Sequence, residues 1–97
     1  MKNFNAKTDW KDKNKLSSIS NSEIKYAPLI IIDGADLGES WSCVVDIISK
    51  LSDTEAIADI SFLSPHAPSN LLVCGATFSL YEGHKLVANG EIVSHKG

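Results

Sequence analysis

The chain has 97 residues, 43% of them hydrophobic, 22% charged and 7% aromatic, with a formal net charge of −3. That length holds one small domain at most, since domains run to roughly 100–200 residues, and it excludes an enzyme with a separate cofactor domain. The apolar content is too high and the net charge too low for a chain disordered throughout, and the apolar run Leu29–Ile32 falls far short of the ~20 residues a membrane-crossing helix needs.

In chain order, Phe4, Ala6 and Thr8 alternate with polar residues and predict a short strand with Trp10 near its end. Residues 11–25 are polar, with Leu16 and Ile19 isolated among lysines and serines, and read as a long loop. Ser20–Glu23 mimics a capping box, but Pro28 follows too soon for a useful helix. Tyr26–Ile32 is rich in β-branched residues and runs into Asp33-Gly34, a turn signal that opens the acidic loop Asp33–Glu39. Trp41–Ile48 fits two periods. Trp41, Val44, Val45, Ile48 and Leu51 make a helical stripe, and Trp41, Cys43, Val45 and Ile47 make a strand face. The β-branched Val44, Val45, Ile47 and Ile48 weigh toward strand.

Ser52–Glu55 is a turn. In the next segment Ala58, Ile60 and Phe62 share a face until Ser64–Pro68 breaks it. Leu71–Val73 is a short apolar run, and Ala76–Tyr81 a strand with Phe78 and Leu80 on one side. Glu82-Gly83-His84 turns the chain, Leu86–Ala88 resumes it, Asn89-Gly90 bulges or kinks it, and Glu91–Val93 closes. About six short strands with turn signals between them predict a small all-β sandwich or barrel. Its core is expected to hold Phe4, Ile30, Ile32, Val45, Ile60, Phe62, Phe78, Leu80, Val87 and Ile92.

Charge is unevenly placed: residues 1–25 sum to +3 and residues 26–97 to −6, with no arginine anywhere. Arginine is the side chain that reads phosphate and guanine bidentately, so nucleic acid is not the expected partner. An acidic body suits a basic protein partner, or serves solubility alone. The N-terminus lacks the apolar stretch of a signal peptide, and Cys43 and Cys74 read as buried reduced thiols, so the expected compartment is the cytoplasm.

Chemical motifs are mostly absent. The glycines fit neither phosphate-binding pattern. His66, His84 and His95 lack metal-ligand spacing, and Asp33, Asp36 and Glu39 lack the regular oxygen spacing of a calcium loop. No cofactor and no catalytic residue is expected.

The segments Ala58–His66 and Gly75–Val93, with the Gly-x-x-Phe strand at Gly75–Phe78, the Glu82-Gly83 hairpin and the late Gly90, resemble the C-terminal β-barrel of the elongation factor Tu family. Tyr26-Ala-Pro28 resembles that family's Tyr-Arg-Pro strand, and Lys2–Ala6 its entry strand. The resemblance implies a single six-stranded antiparallel barrel over residues 1–97, with 11–25 as a long polar loop. It also places Glu82 and Gly83 on the face that meets tRNA in the family, although Tyr81 and Lys85 stand where arginines are usual.

The expected function is a non-catalytic protein-binding module. In its sharpest form it is an immunity protein that neutralises a basic, nuclease-like toxin. Asp33, Asp36, Glu39, Asp53 and Glu55 would carry the contact, and Glu82, Gly83, His84 and Lys85 form a second surface. The alternative is a translation-associated barrel that binds tRNA or imitates elongation factor Tu.

Overall fold

A computed structural model of the chain describes residues 3–21, 25–33, 40–63 and 73–96. Six strands alternate in burial: β1 (Asn3–Trp10), β2 (Leu29–Ile32), β3 (Trp41–Lys50), β4 (Glu55–Phe62), β5 (Thr77–Glu82) and β6 (Lys85–Lys96). They close into one antiparallel barrel in the order β1-β4-β3-β2-β5-β6, with β6 returning to β1. Each described strand pairs on both sides, which limits the edge that could pair with another chain. Trp41–Lys50 is a strand, as its β-branched residues favour; the register slips between Ile47 and Ser49, and the bulged Ile48 is turned outward, 56% exposed. Pro28 has no N–H to donate, so the strand expected from Tyr26 onward starts at Leu29. Tyr26 is held by an isolated bridge to Val45.

All ten expected core residues are buried. Phe4 anchors the interior, packing 6.2 Å from Phe62 and edge-on 5.8 Å from Phe78. Ala6, Ala56, Ala58 and Ala88 leave room for these rings. Gly90 is paired across from Phe78, and a Cβ added there would run into the ring. One hydroxyl joins the core: Trp10 Nε1 donates to Thr8 Oγ1, which donates to the Ala56 carbonyl, both at 2.8 Å. This satisfies two buried polar groups that would otherwise be costly.

The segment expected as a loop holds a helix, α1 (Lys13–Ser20). Asp12 caps it by accepting from the Asn14 N–H at 2.9 Å. Leu16 is fully buried, and Ile19 packs against the core. A two-turn helix with two apolar side chains has too weak a periodicity to stand out in the sequence. It is stabilised by covering the barrel end where β1 stops and β5 turns into β6. The mimic capping box extends into residues 22–24, outside the described residues. A second correction concerns the cysteines: both are free, but only Cys43 is buried, and Cys74 is exposed in the turn before β5. Among the described residues no helix is long and apolar enough to cross a membrane.

Candidate functional site

Outward positions of neighbouring strands build a groove of about 470 Å³ on the barrel wall. Lys7 and Asp9 come from β1, Thr77 from β5, Asn89 and Glu91 from β6, Glu55 from the start of β4, and Asp33 from the residue after β2. The ladder explains the assembly: Thr77 pairs with Glu91, Glu91 with Lys7, and Asp9 with Glu55. The Asp33 N–H donates to the Thr77 carbonyl at 3.0 Å, and the Thr77 hydroxyl donates back to the Asp33 carboxylate. Lys7 Nζ lies 3.4 Å from Glu55 Oε2, a pair about half exposed and therefore weak and screened by salt.

Four carboxylates thus share a groove with the Lys7 ammonium, and no described residue forms an ion pair with Asp9 or Glu91. Among the described residues no three potential ligands converge closely enough to hold a metal ion. The negative charge is spread along the wall, an arrangement that suits an extended cationic surface better than a point ion.

Of the acidic residues singled out in the sequence, Asp33 and Glu55 meet in this groove although 22 positions separate them. Asp53 is exposed on the adjoining turn, where Ser52 Oγ accepts from the Thr54 and Glu55 N–H groups, and it does not line the groove. Asp36 and Glu39 lie outside the described residues. Asp9 and Glu91 were missed. Alternation along β1 does point Asp9 outward, but nothing local says that β6 and β4 flank it.

The second surface divides. Glu82 is engaged within the chain: Lys15 of α1 forms an ion pair with it, and the Tyr26 hydroxyl donates to it at 2.5 Å. The hydrogen bond from Lys15, then that from Tyr26, holds the Glu82 carboxyl below the usual carboxylate range. Burial, then the bond to Glu82, pushes the Tyr26 phenol well above the ordinary tyrosine value. The Lys15 ammonium also sits 5.3 Å above the Tyr26 ring, which packs against Trp10. Gly83, His84 and Lys85 remain exposed at the hairpin tip, where Gly83 has φ +60°. A positive φ followed by an ordinary one at His84 fits the type II′ hairpin that glycine permits.

Burial pushes the Cys43 thiol up to about 12. A thiol of that kind is protonated at neutral pH and a poor nucleophile. No protein-family model matches the chain, and no curated protein matches it significantly.

Proposed function

We propose that this barrel is a non-catalytic protein-binding module whose acidic groove covers a basic surface of another protein. In its sharpest form it is an immunity protein masking the cationic active face of a nuclease-like toxin. The observation that carries the reading is the gathering of Asp9, Asp33, Glu55 and Glu91 on one wall with Lys7 as their cation. Asp9 and Glu91 form no ion pair among the described residues, and a lysine- or arginine-rich partner would supply their counter-charge. Such complementarity mainly speeds association. The free thiols suit a reducing compartment, so the partner would be met in the cytoplasm.

The test begins with partners recovered from the source cell and measures their association with the wild type and with the combined variant Asp33→Asn, Glu55→Gln, Glu91→Gln. The variant is first checked for an unchanged melting profile. The expected result is association slowed roughly tenfold or more at low salt, with the difference shrinking as salt rises. Equal rates at low salt overturn the reading.

A second reading rests on the resemblance to the elongation factor Tu barrel and on the closed six-stranded architecture that resemblance implies. It makes the chain a translation-associated barrel meeting tRNA or the factor's partners through Gly83, His84 and Lys85. Steeply salt-dependent binding to tRNA would favour it.

A further inference from the structure

A second groove, of about 430 Å³, lies on the outer face of β2 and β5 beside the hairpin that joins β5 to β6. It is lined by Leu29, Ile31, Ser40, Tyr81, Gly83 and His84. On β2 the inward residues are Ile30 and Ile32, so Leu29 and Ile31 face outward, and Tyr81 pairs with Leu29 from β5. Outward positions of a solvated antiparallel sheet are ordinarily polar, and here Leu29, Ile31 and Tyr81 stand together there, each half-buried. The outward positions of β2 and β5 lead from one groove toward the other. Ile31 pairs with Ser79, and one step further along the same strands Asp33 and Thr77 begin the acidic groove. At ~3.3 Å per residue, Leu29 and Asp33 lie about 13 Å apart along the strand.

We propose that the apolar groove takes an aliphatic or aromatic anchor side chain from the same basic protein segment whose lysines or arginines enter the acidic groove. This inference rests on the acidic-groove reading and adds to it the chemistry of the partner. The occupant is an extended cationic segment with one large apolar residue about 13 Å from its charge cluster. Charge selects this occupant. The carboxylates of Asp33 and Glu91, reached along the same strands, favour a segment that carries cations. An apolar centre beside a charged flank is also the usual anatomy of a specific interface.

The experiment titrates isotope-labelled protein with three synthetic peptides of equal length, followed by amide chemical shifts. One carries a lysine cluster and a leucine anchor, one has serine in place of the leucine, and one keeps the leucine with glutamine in place of the lysines. The expected result is binding of the first at least tenfold tighter than of either other, with shifts spanning Ile31, Tyr81, Asp33 and Glu91. Ile31→Ser and Tyr81→Ser, each of wild-type melting temperature, should remove that advantage and leave the lysine–serine peptide unaffected.

Equal binding of the two lysine peptides overturns the anchor and leaves the acidic reading standing. Equal binding of the two leucine peptides, or no binding by any, overturns both. Concentration-dependent dimerisation abolished by Ile31→Ser also overturns the anchor, because it gives the groove to a second copy.

Discussion

Gly90 and Phe78 form one packing unit: the ring occupies the space that any side chain at position 90 would need. Gly90→Ala is therefore expected to cost about 1–3 kcal/mol by overpacking. Phe78→Ala is expected to cost about 3–5 kcal/mol by opening a cavity, a large part of a small domain's total stability. Combining Gly90→Ala with Phe78→Leu should cost less than the two singles added, since the shortened side chain gives the new methyl room. Denaturant midpoints of the wild type, Gly90→Ala, Phe78→Leu and the double variant check this, and strict additivity would show that the ring does not meet position 90. The thiols offer a second contrast. Cys74 is exposed and should react promptly with a thiol reagent, whereas buried, protonated Cys43 should react only on unfolding. A stoichiometry of one prompt thiol, abolished by Cys74→Ser, is the expected readout.

At the level of elements, α1 is held by Leu16 from below and by the Lys15–Glu82–Tyr26 cluster at its side. Leu16→Ala is expected to destabilise by about 2–5 kcal/mol, and loss of helix signal before the barrel melts would show the helix undocking first. The Glu82 contribution depends on pH with a definite sign. Its carboxyl in the folded chain lies below its ordinary value, so the stabilisation is complete above the ordinary carboxylate range and disappears as pH falls through the depressed value. Glu82→Gln should therefore melt below the wild type at neutral pH, by about 1 kcal/mol or less for so exposed a pair. The two should converge in acid, and a gap that persists there would assign the effect to packing instead of charge.

Across the whole molecule, the barrel gathers like charge from distant parts of the chain onto one wall. Asp9→Asn combined with Glu91→Gln should raise the melting temperature of the free protein at low ionic strength. The gain should vanish near 1 M salt, where the screening length is only about 3 Å. A gain independent of salt would mean that the two carboxylates do not repel their neighbours. The fold also absorbs the basic N-terminal segment. β1 sits between β4 and β6, so Lys7 neutralises part of the acidic wall, while Lys15 on α1 closes the barrel end. Among the described residues, the basic N-terminal segment and the acidic remainder are therefore folded into one body.

Alternation, with β-branched content at Tyr26–Ile32 and at Trp41–Ile48, determined the strands and their inward residues. In a half-buried strand the period of two is a local property, and Phe4, Ile30, Ile60 and Phe78 each carry it in their own neighbourhood. The turn at Gly83 was equally local. The helix was not, because its few apolar residues gain their meaning from the barrel end that Leu16 fills. The acidic wall was half legible: Asp33 and Glu55 stood out as members of charged loops, while Asp9 and Glu91 looked like ordinary solvent-facing strand positions. Only the tertiary structure decided that these four residues share a groove and that Leu29, Ile31 and Tyr81 line a second one. Which strands are neighbours in a closed sheet is set by long-range pairing and register, and those are properties of the whole barrel that no segment carries by itself.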